Sequence, residues 1–202
     1  GGDREIMDIG DIIEAFEIGD IQKGSARFDE AKMSHINFQY LKALPVETYA
    51  WFARPVLTAK GLIGKDQDED HLQRVLALCQ DKITSLQELP AFCAYFFTDD
   101  FEEDEKVAKK LLKKGNPAEL AGQVRVALAD LPESSWDVAS LEKGFDGLAK
   151  QHGEEKPFRW WPLTRFALSG TSSGPDFLPM LEVIGRDTVL RRLQRFEVAH
   201  SA

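Results

Sequence analysis

Apolar residues recur at helical spacing along almost the whole chain, and this periodicity constrains the fold more than any other feature. One example is Leu72, Val75, Leu76 and Cys79, which stand at positions i, i+3, i+4 and i+7. No long segment alternates apolar and polar residues with a period of two, as a half-buried strand would. The sequence therefore predicts an all-α protein.

Helix ends can be predicted from residues that cap a first turn. Asn116 is followed by Pro117 and, three positions on, by Glu119, which is the pattern of a capped helix start. Asp29 is expected to cap a helix that ends at Pro45. By the same argument Ser134 should open another helix, and Asp187 should cap the last one.

The composition is that of a globular domain. The chain has 202 residues, of which 43% are hydrophobic, enough for one or two compact domains. No apolar run approaches the roughly 20 residues that span a bilayer. The two cysteines, Cys79 and Cys93, stand at helical core positions, so a reduced, buried pair in a cytoplasmic protein is expected. The histidines and cysteines show no metal-ligand spacing, so no metal site is predicted.

Charge is distributed unevenly along the chain. The formal net charge is −9, yet residues 156–202 carry +3, so the residues before them carry −12. An acidic body with a basic end is compatible with docking one defined RNA feature, because affinity depends on the local field. It argues against general binding to nucleic acids, DNA included.

An acidic run over residues 99–105 precedes a lysine-rich segment, 106–114. Acidic residues at the start of a helix and basic residues at its end both interact favourably with the helix dipole, which is the interpretation we adopt. The lysines could alternatively contact phosphates. A helical enzyme that uses the carboxylates is a weaker alternative, since no base, nucleophile or metal spacing accompanies them.

Three blocks of sequence carry a family resemblance. The segment 161–195 places a Ser/Thr/Gly loop between two apolar helices, with Gly174-Pro175 near the end of the loop and arginines on both of its flanks. Together with residues 28–40 (Phe-Asp-Glu-Ala-Lys-Met, then Asn, Gln and Tyr) and 2–5 (Gly-Asp-Arg-Glu), it resembles the C-terminal part of bacterial glutamyl-tRNA synthetases. The blocks occur in the same order and span nearly all of the chain.

The resemblance implies a helical anticodon-binding domain made of two helical subdomains. Residues 47–107 and 108–202 correspond to those subdomains, and residues 1–46 to the helical tail of the domain that contacts the tRNA stem. The His-Ile-Gly-His-like motif of the catalytic domain has no counterpart here, and Lys32-Met33-Ser34 only echoes the Lys-Met-Ser-Lys-Ser-like one. The chain is therefore expected to be non-catalytic, with ATP and magnesium serving only a catalytic domain that it lacks.

The family resemblance also points to candidate contact residues. Unpaired bases are read by stacking and by hydrogen bonds to their edges, which requires an open pocket edged by arginines and free of carboxylates. The anticodon contacts implied by position are Lys82, Arg165, Gly174, Pro175 and Phe177. Phe177 could offer a plane to a base, or it could be a core residue in a capped turn.

A weaker set of residues is expected to contact the RNA backbone or stem. Its members are Lys32, Asn37, Lys42, Arg191, Arg192 and Arg195. The three arginines are predicted to share one exposed helix face, as phosphate contacts or simply as a solvated surface. The predicted function is tRNA binding by the anticodon-recognition portion of a glutamate–tRNA ligase, as a monomer without membrane contact. The alternative is a helical protein-interaction module that has lost its RNA contacts.

Lys82 stands where some family members carry an arginine that reads the third anticodon base. Lysine is a flexible point charge without the planar fork of arginine, so either specificity is looser here or another residue takes part. The alternative is a solvated lysine at a helix end. We predict that Lys82→Ala weakens binding to glutamate tRNA more than binding to a tRNA altered at that base. Equal losses in affinity for the two tRNAs would reduce Lys82 to a general phosphate contact.

Overall fold

A computed structural model describes residues 6–20, 24, 27–113 and 116–201. The predicted run Gly2–Glu5 and Lys114 lie outside the described residues. The described chain is all-α, as predicted, and contains no β-strand. Its helices are α1 (Ile9–Ala15), α2 (Glu30–Ala43), α3 (Val46–Ala59), α4 (Glu69–Cys79), α5 (Leu89–Cys93), α6 (Glu105–Leu112), α7 (Pro117–Ala129), α8 (Val138–Gln151), α9 (Trp161–Ser169), α10 (Phe177–Ile184) and α11 (Arg186–Ala199).

Two of the predicted helix starts are confirmed. The Asp29 carboxylate accepts a hydrogen bond from the amide of Lys32 at 3.0 Å, at the start of α2. The Asn116 side chain accepts one from the amide of Glu119 at 3.1 Å, at the start of α7. Each bond satisfies an amide that has no acceptor within its own helix.

Two other predicted helix caps are wrong, by three residues and by two. Ser134 lies in a 3₁₀ turn, Glu133–Ser135, and Asp137 caps α8 instead. The turn carries the chain to Trp136, whose indole N–H donates to the carbonyl of Leu181 at 3.0 Å, so this side chain must enter the core before the helix begins. Asp187 lies inside the first turn of α11, which begins at Arg186 after Gly185.

One hydrophobic core runs through both halves of the chain, a first half formed by α3 to α5 and a second half formed by α6 to α11. Tyr49, Phe145 and Trp160 are among its fully buried side chains. The Trp160 indole N–H donates to Gln123 at 2.7 Å, so its polar atom is satisfied inside the core. The two cysteines are buried and free, as predicted.

Helix packing places the later helices around α7 and α9. Helix α11 runs along α7, and α9 packs against both. The two halves meet where α4 packs against α10. The predicted boundary at residue 46 coincides with the start of α3, whereas the one at residue 107 falls inside α6, which packs against α9.

Helix α2 is fastened to the first half through polar contacts. The Gln80 amide donates to the carbonyls of Leu41 and Leu44, both at 2.7 Å, and so caps the end of α2. Among the apolar residues that recur at helical spacing in α2, Leu41 is buried, whereas Met33 and Tyr40 are exposed. Helical periodicity therefore identified the helix but overestimated how much of its apolar face is covered.

A buried arginine joins three segments of the fold. Arg192 is only 3% exposed, and its Nε donates to the carboxylate of Asp99 at 2.8 Å. Its two terminal nitrogens donate to the carbonyls of Leu168 (2.8 Å) and Thr98 (3.0 Å). The guanidinium also lies 5.0 Å from the centre of the Phe101 ring, within reach of a cation–π interaction. We call this group of contacts the Arg192 tie.

The expectation that Arg191, Arg192 and Arg195 share an exposed face is wrong for Arg192. That residue stands three positions after Val189 and four before Phe196, which places it on the buried stripe of α11. Arg191 is exposed and also pairs with Asp99. Hydrogen bonds from Arg191 and then Arg192 hold the pKa of the Asp99 carboxyl below its usual range, against the opposing effect of burial.

We predict that Asp99→Ala lowers the free energy of unfolding at neutral pH by roughly 3 kcal/mol, because it leaves the Arg192 charge uncompensated. The folded pKa of Asp99 is depressed, so its contribution is complete above the unfolded pKa of about 3.9 and is lost as the pH falls through the folded pKa. The stability difference between the two proteins should therefore shrink below about pH 4. Urea unfolding at a series of pH values measures both effects.

Arg191→Ala is the matched control. It removes the exposed partner of the same carboxylate and should cost less than about 1 kcal/mol. Equal losses for the two variants, or a difference from wild type that stays constant on acidification, would show that Arg192 does not depend on Asp99.

Candidate nucleic-acid interface

A loop of residues 170–176 connects α9 to α10. It contains two of the five predicted anticodon contacts, Gly174 and Pro175, while Arg165 lies in α9 and Phe177 begins α10.

The loop begins at Gly170, which ends α9 with a φ of +70°, in the left-handed region. The Gly170 carbonyl accepts from the amide of Asp104 at 2.8 Å. A Cβ atom at position 170 would overlap the carbonyl oxygen of Glu102. The segment just before α6 therefore packs so tightly against the start of the loop that only glycine fits there.

Hydroxyl groups organise the next residues of the loop. The amide of Ser173 donates to the hydroxyl of Thr171 at 3.2 Å, and their two hydroxyls lie 3.3 Å apart. Ser172 and Ser173 are both exposed. The loop therefore has an internally bonded turn and presents small polar side chains to the outside.

Arg165 holds the second half of the loop against α9. One terminal nitrogen donates to the carbonyl of Pro175 at 2.7 Å, and the other lies 3.5 Å from the sulfur of Met180. Burial lowers the pKa of Arg165, but an arginine remains charged at neutral pH. Gly174 has a φ of +150°, and a Cβ there would lie 2.9 Å from the Arg165 Nη1. The half-buried Arg165 is thus a structural support of the loop.

Phe177 lies in the core and is only 7% exposed. Its ring centre is 5.0 Å from that of Trp161 and 5.5 Å from that of Phe145, and the Arg165 guanidinium lies 5.6 Å away. The prediction that Phe177 offers a free plane to a base is wrong in this structure, because neighbouring side chains surround its ring. The alternative, a core residue, is what the structure shows, although Phe177 begins α10 and Asp176 before it makes no side-chain cap hydrogen bond.

Lys82 meets the loop from the first half of the chain. Its ammonium nitrogen lies 3.5 Å from the carboxylate of Asp176 and 3.7 Å from that of Asp81. The structure thus brings together two predicted parts of the site that are more than ninety positions apart in the sequence. The expected open, arginine-edged pocket is wrong in detail, since Arg165 is packed inward and the Asp176 carboxylate lies beside Lys82.

The predicted stem contacts lie on α2. Asn37 donates through its amide to the carbonyl of Thr84, two residues after Lys82. The Lys42 ammonium lies 5.8 Å from the centre of the Phe38 ring. Lys32 is exposed. Asn37 therefore fastens α2 to the turn that carries Lys82, and RNA contacts by these three residues stay a prediction.

Arg191 and Arg195 are exposed on α11. Arg191 pairs with Asp99, whereas Arg195 has no ion-pair partner within the described ranges. Their role as phosphate contacts also stays a prediction.

A cavity of about 680 Å³ lies on the outer side of the same loop. It is bounded by α6, the start of α7, the turn before α9 and α9 itself. The residues that line it are Lys106, Val107, Lys110, Leu111, Leu120, Arg159, Pro162, Leu163 and Ser172. We call it the basic-rimmed cavity, because its charged lining residues, Lys106, Lys110 and Arg159, are all basic.

Sequence reasoning assigned the lysines of α6 to helix electrostatics and did not single out Arg159. The assignment describes Lys109, which pairs with Glu105 at 3.0 Å, one helical turn away. Lys106 and Lys110 face the cavity instead. The sequence does contain a signal for this. Lys106 and Lys110 immediately precede the apolar residues Val107 and Leu111, and both pairs recur at i, i+4 spacing, which places the two lysines beside the apolar face of α6.

Metal-ligand clusters and membrane-spanning helices are both absent from the described part of the chain. No three His, Cys, Asp or Glu side chains converge there as metal ligands. Within residues 6–20, 24, 27–113 and 116–201, no helix combines the length and the apolar character needed to cross a bilayer.

We predict that Gly170→Ala destabilises the protein much more than Gly153→Ala does. Gly153 has a φ of +72°, yet a Cβ there would meet nothing within 4 Å, so its substitution costs only the left-handed strain of about 1–2 kcal/mol. Gly170→Ala adds the clash with the backbone of Glu102. Urea unfolding compares the two, and equal losses would show that the loop start can move aside.

Comparison with known proteins identifies the family of this chain. The model of the anticodon binding domain family matches residues 42–197. The glutamate–tRNA ligase of Moorella thermoacetica is 33% identical over 197 residues, covering 96% of this chain and 40% of that protein. The corresponding ligase of Desulforudis audaxviator is 29% identical over 198 residues, covering 96% of this chain and 39% of that protein.

A solved structure agrees on the fold. A crystal structure of a glutamate tRNA ligase from Elizabethkingia meningosepticum, in complex with its amino acid, superposes with a TM-score of 0.83 at 21% identity. It covers 98% of this chain and 38% of that one. The chain thus spans about 40% of the length of the curated relatives it matches. Since the family model covers most of its residues, the chain belongs to the anticodon binding domain family.

Proposed function

We propose that this chain binds the anticodon arm of a glutamate-accepting tRNA, as the RNA-reading portion of a glutamate–tRNA ligase. The observation that carries the proposal is the meeting of Lys82 with the loop 170–176 across the two halves of the fold. A loop that is held by hydrogen bonds and has exposed hydroxyls beside a cation offers hydrogen-bonding groups for base edges and charge for a phosphate. Its family membership and its similarity to glutamate–tRNA ligases support the same function.

The Lys82–Asp176 pair suggests how such a site could open. Asp176 is highly exposed, with 79% of its side chain accessible, so its ion pair with Lys82 is weak. A phosphate or base edge that binds the Lys82 ammonium would break this ion pair at little cost in free energy. Asp176 would in turn repel phosphates that approach in the wrong register.

The chain's role is docking, separate from chemistry. Binding the anticodon arm is useful when it aligns the acceptor end of the tRNA with an active site elsewhere. We assign ATP and magnesium to the part of the relatives' length that this chain does not span. The buried, free cysteines support a reducing, cytoplasmic location, and we propose that the chain acts as a monomer.

Salt-dependent binding tests the proposal. We predict that the 202-residue chain shifts glutamate tRNA in a gel, with affinity falling steeply between about 50 and 200 mM salt, and that it shows no aminoacylation. An unrelated tRNA of equal length serves as the control and should bind more weakly. Equal affinity for both tRNAs, or no binding at the lowest salt concentration, would favour the protein-interaction alternative.

A further inference from the structure

The basic-rimmed cavity combines an apolar floor with a charged edge. Val107, Leu111 and Leu120 are half-buried, and Leu163 is only 4% exposed, so the floor is hydrocarbon. Lys106, Lys110 and Arg159 stand exposed at the rim. Its volume lies within the range of about 300–1,000 Å³ typical of small-molecule sites.

The rim charges are largely unneutralised. Lys106 and Lys110 have no ion-pair partner among the described residues, and Arg159 pairs only with Glu154, at 3.6 Å. No carboxylate of the nearby acidic run lines the cavity, and three of them have other contacts: Asp99 is engaged in the Arg192 tie, Asp104 caps α6 and Glu105 pairs with Lys109. In a chain of net charge −9, a cluster of cations around an apolar cavity is a local exception that favours an anionic, partly apolar ligand.

We infer that the basic-rimmed cavity holds one unpaired nucleotide of the bound RNA, an inference that rests on the proposed function. The base would lie on the floor formed by Val107, Leu111 and Leu163, and its flanking phosphates would meet the cations of the rim. The hydroxyl of Ser172 supplies a hydrogen-bonding group for the edge of the base. Ser172 of the loop lines the cavity, whereas Asp176 of the same loop contacts Lys82. The loop would therefore separate two nucleotide sites, one in the cavity and one at Lys82.

The rim is tested with Lys106→Glu/Lys110→Glu in the full chain. Lys65→Glu/Lys143→Glu makes the same change in net charge at exposed positions that do not line the cavity, and serves as the control. We expect the rim variant to lower affinity for an anticodon stem-loop about tenfold more than the control does. Its slope of log affinity against log salt should fall by about 0.7 for each single-strand phosphate that the variant no longer neutralises.

The floor is tested by filling it. Val107→Phe occupies the cavity from α6, and Leu120→Phe does so from α7, as a second variant should the first fail to fold. Each is combined with stem-loops in which every unpaired nucleotide is made abasic in turn. We expect one loop position whose abasic form weakens binding about tenfold to wild type but has no further effect on the filled variant.

Each outcome decides between the inference and its alternatives. Coupling at one loop position supports the nucleotide site. Charge-dependent losses without any coupling, seen equally with double-stranded RNA, would reduce the rim to a phosphate patch and overturn the inference. If adenosine monophosphate fills the cavity without displacing the stem-loop, the ligand is a free nucleotide and the assignment to the RNA is wrong.

Failure of the inference and failure of the proposed function are distinguishable. If the wild-type chain binds the stem-loop and Lys82→Ala weakens it, while rim and floor variants behave like the charge control, only the cavity assignment is wrong. If the wild-type chain binds no RNA, both the assignment and the proposed function fall.

Discussion

Burying the charge of Arg192 is the constraint on which the site depends. A guanidinium withdrawn from water is costly unless acceptors surround it, and here those acceptors come from three residues: Asp99, Thr98 and Leu168. The requirement draws residues 98–104 against the end of α9, where the carbonyl of Gly170 accepts from the amide of Asp104. The position of the loop is therefore coupled to the satisfaction of one buried cation.

Two arginines, Arg165 and Arg192, fix the two ends of the loop 170–176 from within the fold. Arg192 donates to the carbonyl of Leu168, just before the loop begins. The half-buried Arg165 donates to the carbonyl of Pro175, near the end of the loop. Packing of this kind favours a preorganised loop, which loses less conformational entropy on binding than a flexible one. It also leaves Lys82, the loop hydroxyls and the rim of the cavity, in place of Arg165 and Arg192, as the groups available for the recognition that we propose.

Periodicity and caps predicted the helices well, because both are local properties of the chain. They could not predict which arginines point inward. Arg192 and Asp99 are ninety-three positions apart, and no local pattern relates them. Phe177 shows the same limit, since its exposure depends on Trp161 and Phe145 arriving from two other helices. The family resemblance placed Lys82 and the loop in one site. Sequence position alone could not show that the Arg165 guanidinium already donates a hydrogen bond to the carbonyl of Pro175.

Net charge is a poor guide to what this surface can bind, and the acidic run 99–105 shows why. Asp99 neutralises arginines, Asp104 caps α6 and Glu105 pairs with Lys109, so three of its carboxylates perform structural roles. Lys106 and Lys110, which line the cavity from α6, have no ion-pair partner among the described residues, so their charge is not offset by a neighbouring carboxylate. An acidic chain can thereby present a positive field locally, because association depends on the potential at the contact and not on the sum over the molecule.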